Sequence, residues 1–403
     1  MPPINSGGVN WRRNLAALWF AEFTAIFGFS FAFPFMPIFL SQDLGVRQGS
    51  DLDLWTAAAV SASGISMAIA SPIWGVLGDR YGRKPMLIRS MLGGAITVGL
   101  IFFAQTPLQL MLLRFLQGAS SGTVAAATSL VAAETPRSRV GWSLGVVNSG
   151  VALGSAMGPV FGGLAANFIG LREVFLGGGV LLFVALIPVV LIVRETPLAP
   201  RVGPRVSTLA MIRQQPGLMR ALAVLIGAQG LLSVCNSATQ PLVVLRLLEM
   251  ISSGVSATTG VAFGVAGLAS SVAAVGYTRI ARRLGYVTTS AVSAALIAIT
   301  IALIGVSPFT ALVVLAVGLN GLFVGVVIPA TASMIGLETP HEAQSTVFGV
   351  NASSISAGFF IGPLIGGSIA AVSGNVTMAL LVVAAIAVLL AALLATSARE
   401  PAR

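Results

Sequence analysis

The chain has 403 residues, of which 56% are hydrophobic and only 8% are charged. Soluble domains carry about 25% charged residues, so this composition excludes a water-exposed surface over most of the chain and indicates a membrane protein. The net charge is +10, but the basic residues lie in short clusters between apolar runs. Such clusters are typical of membrane orientation signals and argue against a nucleic-acid-binding patch.

Twelve apolar runs, separated by charged and turn residues, predict an all-α membrane protein with twelve transmembrane helices of roughly 20 or more residues each. The first run follows Arg12 and Arg13 and exceeds the ~7–15 apolar residues of a cleavable signal, so we expect it to be retained. The predicted spans are 14–41, 54–77, 86–105, 108–132, 141–167, 173–193, 218–247, 257–281, 287–306, 309–337, 344–372 and 375–396.

Glu22 is the one acidic residue well inside the first span, within the sequence WFAEFTAIFGF. A carboxyl group in apolar surroundings can bind and release a proton in the physiological range, so we predict that Glu22 carries a coupling proton. The alternative is an acid that faces a water-filled cavity without titrating. Four phenylalanines in the same span, Phe23, Phe27, Phe29 and Phe33, are candidates for aromatic contacts with a substrate, and we place Phe23 and Phe29 at the substrate cavity.

A glycine-rich and basic sequence, GVLGDRYGRKP, runs from Gly75 to Pro85 after the second span. Its glycines permit a tight turn close to neighbouring helices, and Asp79 can cap a helix or pair with an arginine. The simplest alternative is that its basic residues only orient the chain in the membrane.

Arg114 is the one basic residue deep within a span, in the sequence LLRFLQGASSG of the fourth. A charge there costs at least about 2.5–3.5 kcal/mol on insertion scales, so we expect a functional reason for it. The alternative is a structural arginine bonded to helix carbonyls. We place Gln117, one helical turn further on, at the substrate cavity.

Glycines recur every four residues in the fifth span, within GVALGSAMGPVFGG. This spacing predicts a flat face of small residues for close helix packing, and Pro159 predicts a kink. The residues of this packing motif are Gly150, Gly154, Gly158, Pro159, Gly162 and Gly163.

The two halves of the chain carry the same special residues at a constant separation. A Pro- and Arg-rich segment divides them, so we predict a bundle over 1–193, a linker over 194–217 and a second bundle over 218–403. A duplicated six-span unit is a transporter architecture with its binding site between the halves. The matching positions are Glu134 and Glu338, Pro136 and Pro340, Gly158 and Gly362, Pro159 and Pro363, Gly145 and Gly349, and Pro37 and Pro241.

A polar stripe follows one face of the seventh span, because Gln229, Ser233, Asn236 and Gln240 are spaced by three or four residues. We expect all four to line the substrate cavity, with hydrogen bonding between helices as the alternative. His341 is expected to be a solvated loop residue.

Nearly all of the 22 Lys and Arg side chains fall on one side of the predicted spans, which leaves only Arg47 and Arg172 on the other. Arg114 lies within a span and Arg246 near the end of one. The positive-inside rule therefore predicts that both termini are cytoplasmic, in a multi-pass protein of the bacterial inner membrane.

These sequences resemble a known family. GVLGDRYGRKP is similar to the signature loop of the major facilitator superfamily, and LLRFLQGASSG to the span-four motif of drug:proton antiporters. GVALGSAMGPVFGG is similar to a motif of exporters and antiporters, and the whole chain resembles the MdtG-type branch of twelve-span drug:proton antiporters. The resemblance implies a proton-coupling role for Arg114, transport in the direction of export, and gating by Gly75, Asp79, Gly82 and Arg83.

We therefore expect a proton-coupled exporter of drugs or other amphipathic molecules, including cationic ones, because the predicted cavity combines aromatic residues with one carboxylate. Export of a sugar, metabolite or glycolipid is the alternative, and a polytopic membrane enzyme is a remote one. We expect a monomer whose partners are the substrate, protons and the bilayer, with no catalytic residues, cofactor, metal or nucleic acid.

Overall fold

The computed structural model describes residues 10–136, 139–196, 216–339 and 344–400, and the secondary structure described there is entirely helical. His341 and most of the predicted linker lie outside these ranges. The helices are α1 (Trp11–Ala32), α2 (Met36–Gln42), α3 (Ser50–Tyr81), α4 (Arg83–Leu100), α5 (Pro107–Ala119), α6 (Thr123–Glu134), α7 (Val140–Ile169), α8 (Leu171–Leu191), α9 (Pro216–Met250), α10 (Val255–Leu284), α11 (Tyr286–Val306), α12 (Thr310–Glu338), α13 (Gln344–Ser373) and α14 (Val376–Ser397).

Eleven of the described helical segments are long and apolar enough to cross a membrane on their own. The first of them runs from Trp11 to Gln42 and contains both α1 and α2, which a short 3₁₀ turn at Phe33–Phe35 separates. The remaining predicted span, the fourth, is present as two shorter helices, α5 and α6, which follow each other in the chain. The prediction of twelve transmembrane segments is confirmed, with two of them interrupted.

The interruption of the fourth span differs from the continuous helix predicted over 108–132. Helix α5 ends at Ala119, and Gly122 has φ +121°, a conformation that glycine adopts without steric cost. The intervening serines favour local hydrogen bonds over a continued helix, and the Ser120 hydroxyl donates to the Gln117 carbonyl at 3.0 Å. The run Gly-Ala-Ser-Ser-Gly therefore breaks the span near its middle.

Equivalent helices pack on each other in the two halves of the chain. In the N-terminal half, α1 contacts α7, α3 contacts α5, and α4 contacts α8. In the C-terminal half, α9 contacts α13, α10 contacts α12, and α11 contacts α14. In each half, therefore, the first span pairs with the fifth, the second with the fourth, and the third with the sixth. This confirms the predicted fold class of two pseudo-symmetric six-helix bundles.

The two halves meet along α7 with α10 and along α3 with α13. We call the end of the bundle that carries Trp11 and Ser397 the basic end, and the opposite end the distal end. The contacts lie in the distal parts of these helices. The Ser61 hydroxyl donates to the Phe360 carbonyl at 2.9 Å, and a Cβ on Gly64 would lie 2.8 Å from the Phe360 nitrogen. Gly163 packs against Gly260 in the same way.

The halves are separated at the basic end. Four residues lie eleven positions, about three helical turns, closer to the basic end than a residue that contacts the other half, and therefore on the same helix face. They are Gly75, Gly145, Val275 and Gly349, counted from Gly64, Ala156, Gly264 and Phe360 respectively. No described atom lies within 4 Å of where a Cβ would stand on Gly75, Gly145 or Gly349, and Val275 is 82% exposed. The space between the halves therefore opens toward the basic end.

An arginine ties three segments together at the distal end. The Arg172 guanidinium donates to the carbonyls of Phe102 and Ala104 at 2.9 and 2.8 Å and pairs with the Asp43 carboxylate at 3.4 Å. Burial raises the pKa of Asp43 above its usual value, while the Arg172 charge acts in the opposite direction. This arginine, one of only two predicted on that side, stabilises the loops.

Candidate functional site: a central cavity between the two halves

A cavity of about 430 Å³ lies between the two halves. This volume is within the range of small-molecule sites. Both bundles contribute to its wall, as expected for a duplicated transporter architecture. The lining residues are Phe29, Ser30, Phe33, Pro34, Met36, Pro37, Val60, Arg114, Ser155, Pro159, Asn236, Thr239, Gln240, Pro241, Val243, Phe263, Ala266, Gly267, Ser270, Ile304, Val317, Asn320, Gly321, Val324 and Ile328.

The break in the first span brings an aromatic ring to this cavity. Pro34 lies in the 3₁₀ turn between α1 and α2, and a proline there removes a helix hydrogen bond. Phe33 stacks on Phe29 with ring centroids 5.7 Å apart, and both rings line the cavity. Phe29 and Phe33 are two of the four phenylalanines of the first span that the sequence offered for aromatic contacts, and Phe27 is not among the residues that line the cavity.

Arg114 carries the only charge among the residues that line this cavity. Its side chain is 7% exposed, and its guanidinium lies over the Phe33 ring, 4.0 Å from the centroid. One terminal nitrogen donates to Ser63 Oγ at 2.7 Å, the other donates to Gln117 Oε1, and Nε has no partner within the described part of the chain. The guanidinium is held by neutral side chains, so its positive charge is uncompensated by any residue of the cavity wall.

Glu22 lies outside the cavity wall. Its side chain is fully buried in the N-terminal half, and neither carboxyl oxygen has a hydrogen-bond partner among the residues that the structure describes. The Thr123 side chain is near enough to influence the carboxyl group without a hydrogen bond of normal geometry. Because Thr123 is the first residue of α6, Glu22 lies beside the break in the fourth span. The expectation of a cavity with one carboxylate is therefore wrong, since the cavity carries one guanidinium and no acid.

The polar stripe of the seventh span is divided between two roles in the structure. Asn236 and Gln240 line the cavity. Gln229 donates to the Ile328 carbonyl at 3.1 Å, and Ser233 donates to the Ile355 carbonyl at 2.7 Å, so both bond to neighbouring helices. The face of a helix that turns toward a cavity changes along its length, and spacing alone does not give the point of change.

Two further predicted residues lie beside the cavity wall. Phe23 stacks on Trp19 with parallel rings 5.6 Å apart and does not reach the cavity, whereas Gln117 acts through its bond to Arg114. Sequence reasoning missed Asn320, whose amide donates to Thr300 Oγ1 at 3.0 Å at the cavity wall. An asparagine in the otherwise apolar tenth span was the signal for it.

Comparison with known proteins identifies the family. The family model described as the Major Facilitator Superfamily matches residues 18–305 and 254–403, which together include nearly the whole chain. The protein belongs to the major facilitator superfamily.

Relatives and solved structures agree with this. The multidrug resistance protein MdtG of Klebsiella pneumoniae (strain 342) is 32% identical over 369 residues, which are 90% of this chain and 88% of that relative. MdtG of Proteus mirabilis (strain HI4320) is 34% identical over 280 residues, 68% of this chain and 69% of the relative.

Two solved structures share the fold. The nucleoside transporter NupG superposes with a TM-score of 0.78 at 15% identity, over 96% of this chain and 99% of that one. A bacterial homologue of the human lysosomal transporter Spinster, in an inward-facing and occupied conformation, gives 0.77 at 14% identity, over 96% and 97% of the two chains. At these identities the likeness concerns the fold.

The predicted gating loop of this superfamily member forms the sharp turn between α3 and α4. Gly82 has φ +103°, and a Cβ there would lie 2.8 Å from the Glu195 carboxylate. That carboxylate accepts from the backbone nitrogens of Arg83 and Lys84 at 2.8 and 2.9 Å, and so caps the start of α4. The side chain of Asp79 lies outside the described part of the chain, and Gly75 faces open space.

The second half repeats this cap. Gly285 has φ +89°, and Glu400 accepts from the backbone nitrogens of Tyr286 and Val287 at 3.0 and 2.8 Å. Sequence reasoning missed both capping glutamates. The signal was an Arg-Glu pair directly after the last helix of each half, at Arg194-Glu195 and Arg399-Glu400.

The glycines of the fifth span form the surface on which α1 packs. Cβ atoms on Gly154 and Gly158 would lie 2.7 and 2.9 Å from the carbonyl oxygens of Phe23 and Phe27. Gly162 lies against the Phe31 carbonyl, whereas the adjacent Gly163 contacts α10 of the other half. One helix therefore joins its own bundle through one face and the second bundle through another, with Pro159 at the cavity between them.

Proposed function

We propose that this protein is a proton-coupled exporter of amphipathic small molecules that works by alternating access. The observation that carries the proposal is the central cavity, which opens at the basic end while the halves are in contact at the distal end. The names of the MdtG relatives, multidrug resistance proteins, support drugs as the class of substrate. Rocking of the two bundles about the cavity would open the distal end in turn.

The positive-inside rule indicates which end of the bundle faces the cytoplasm. The loops and helix ends at the basic end carry most of the arginines, including Arg80, Arg83 and Arg282, so we assign this end and both termini to the cytoplasm. The conformation described above then opens to the cytoplasm, where an exporter collects its substrate. We further propose that 1–193 and 218–403 move as two units joined by the 194–217 linker, in a monomer.

We propose Glu22 as the proton carrier. A fully buried carboxyl group without hydrogen-bond partners is costly when charged, so its protonation state depends strongly on its surroundings. Arg114 at the cavity lies on α5, and Thr123 beside Glu22 begins α6. Because the helix is broken between α5 and α6, a movement of α5 on substrate binding at Arg114 can shift α6 and so alter the environment of Glu22. We assign Arg114 to coupling in this sense, without a direct ion pair to Glu22.

The cavity chemistry narrows the expected substrates. Aromatic rings from Phe29, Phe33 and Phe263 suit an apolar body, and the uncompensated Arg114 charge suits a group that accepts hydrogen bonds or carries negative charge. This argues against the preference for cations that a carboxylate would have supported. The amides of Asn236 and Asn320 also suit a hydroxyl-rich molecule, which keeps export of a sugar or metabolite as the second candidate.

A transporter also accounts for this site better than an enzyme does. Among the described residues there is no group of three or more His, Cys, Asp or Glu side chains that could hold a metal ion. The described neighbour of the buried acid Glu22 is the Thr123 side chain, with no second acid or histidine beside it, so the described contacts give no acid–base pair in support of the enzyme alternative.

The proposal is tested in proteoliposomes with an imposed pH gradient and a trapped pH-sensitive dye, using a panel of neutral, cationic and anionic fluorescent amphiphiles. Wild-type protein should move a subset of the panel against its gradient and dissipate the proton gradient in the same experiment. Glu22→Gln should abolish the gradient-driven component while equilibrium exchange of substrate persists. Glu173→Gln, which removes an exposed acid at the distal end, is the matched control and should transport normally. Equal gradient-driven transport by Glu22→Gln and wild type would refute the assignment.

A further inference from the structure

A second cavity, separate from the central one, lies at the basic end between the first turns of α1 and α7. Its volume is about 530 Å³, and it shares no lining residue with the central cavity. We call it the tryptophan groove, because three of the five tryptophans of the chain converge there. Its lining residues are Trp11, Arg12, Leu15, Ala16, Trp19, Arg139, Trp142 and Val146. The transport mechanism above uses none of them.

The charge of the tryptophan groove is positive only. Arg12 and Arg139 are exposed at its mouth, and none of the described residues that line it is an aspartate or a glutamate. Both arginines also lie at helix N-termini, Arg12 in the first turn of α1 and Arg139 at the cap of α7, and neither first turn contains an acidic residue. Helix N-termini carry partial positive charge, so these arginines add to a positive field instead of neutralising one. The groove is therefore complementary to an anion.

The walls of the groove are suited to the membrane interface. The Arg12 guanidinium lies 5.4 Å from the centre of the Trp11 ring, and Trp142 is 60% exposed. Trp19 lies about 12 Å deeper along α1, and its indole nitrogen donates to Ser149 Oγ at 3.1 Å. Indole rings favour the headgroup level of a bilayer, and the deeper wall, with Leu15 and Val146, is apolar. The groove is charged at its mouth and apolar at depth, as an amphiphile with an anionic head requires.

We propose that the tryptophan groove binds one anionic phospholipid from the leaflet at the basic end. The phosphate lies against Arg12 and Arg139, and one acyl chain runs over Leu15 and Trp19. A lipid fits better than a soluble anion because the groove continues into apolar wall at the depth of the bilayer. The proposal is independent of the transported substrate, and it stands or falls separately from the proton-coupled export proposed above.

The test uses tryptophan fluorescence in a Trp55→Phe/Trp74→Phe background, which leaves only the three groove tryptophans. The protein is reconstituted in phosphatidylcholine vesicles that contain a small fraction of a brominated, quenching lipid. Brominated phosphatidylglycerol should quench at far lower mole fraction than brominated phosphatidylcholine, with a preference of roughly 30-fold from two arginines at the interface. Arg12→Gln/Arg139→Gln should reduce that preference to near one.

Arg282→Gln/Arg283→Gln is the matched control, because it removes two arginines from the last turn of α10 at the same end. It should keep the preference for phosphatidylglycerol. Equal quenching by the two lipids in the parent, or equal loss of preference in both arginine variants, would overturn the proposal. A change of emission by inorganic phosphate in pure phosphatidylcholine vesicles, lost in Arg12→Gln/Arg139→Gln, would show a soluble anion instead and would also overturn it.

Native mass spectrometry provides a second readout that does not need the tryptophan substitutions. Otherwise wild-type protein should retain one phosphatidylglycerol through a detergent wash that strips phosphatidylcholine, and Arg12→Gln/Arg139→Gln should lose it. Retention of the lipid by that variant at the wild-type level would contradict the proposal, provided that the variant gives the wild-type melting temperature.

Discussion

Gly64 lies where the two halves are in contact toward the distal end, so a larger side chain at this position tests alternating access with a single substitution. A Cβ on Gly64 would lie 2.8 Å from the backbone nitrogen and 2.9 Å from the Cα of Phe360, well inside ordinary van der Waals contact. These are backbone atoms of α13, so only movement of a whole helix relieves the overlap. Gly64→Val should therefore disfavour contact of the halves at the distal end and favour the conformation that opens there.

The magnitude follows from the cost of overpacking, typically about 1–3 kcal/mol, which corresponds to a population shift of roughly 5- to 150-fold. Because Cys235 is the only cysteine and is buried, Cys235→Ser gives a background for single-cysteine labelling. In Gly64→Val, a cysteine at position 57 should react faster with an impermeant maleimide from the distal side. A cysteine at position 145 should react more slowly from the basic side.

Two further substitutions serve as controls for Gly64→Val. Gly75→Val fills open space on the same helix in this conformation, so it should act in the opposite direction by obstructing closure at the basic end. Gly227→Val, at another glycine with nothing within 4 Å, should leave both labelling rates unchanged. Unchanged labelling at positions 57 and 145 in a folded Gly64→Val protein would refute the reasoning.

Four other substitutions have defined expectations. Arg172→Gln removes the ion pair to Asp43 and weakens two bonds to backbone carbonyls, so it should lower the free energy of unfolding by about 1–3 kcal/mol, read as a lower melting temperature in detergent. Glu195→Gln and Glu400→Gln each weaken one charged helix cap, so each should cost about 0.5–2 kcal/mol in the same assay. Arg114→Gln removes the only charge of the cavity wall, so it should reduce uptake of anionic amphiphiles by proteoliposomes more than that of neutral ones.

Each of these four substitutions has an outcome that would contradict its expected effect. An unaltered melting temperature would show that Arg172 or the capping glutamates do not stabilise the fold as their contacts suggest. Equal loss of all amphiphiles in Arg114→Gln would indicate a structural arginine. Selective loss of cationic amphiphiles would reverse the inferred charge preference.

Most of the fold could be predicted from the sequence. A helix that crosses the bilayer must be long and apolar, and a charged side chain within it has a high free-energy cost. The duplication was visible because glycine and proline positions such as Gly158 and Gly362 depend on backbone geometry that both halves share. The break near Gly122 was not predicted, since apolar residues on both sides hide a local change of backbone conformation. Hydropathy detects the length of a span and is insensitive to its continuity.

The site was predicted only in part. Arg114 and Asn236 stood out as polar residues in apolar spans and do line the cavity, but Gln229 and Ser233 bond to neighbouring helices. Glu22 was expected at the cavity, but it is buried within the N-terminal half and does not line the cavity. Which face of a helix meets a cavity depends on how neighbouring helices cross, and that information is in the packing of all twelve spans.

In alternating access, the cavity between the halves opens at one end while the other end closes. Double electron–electron resonance measures this directly, with spin labels at positions 145 and 275 for the basic end and 167 and 253 for the distal end, in the Cys235→Ser background. A pH gradient or bound substrate should lengthen one distance while it shortens the other. Distances that stay constant, or that change in the same direction at both ends, would contradict the account.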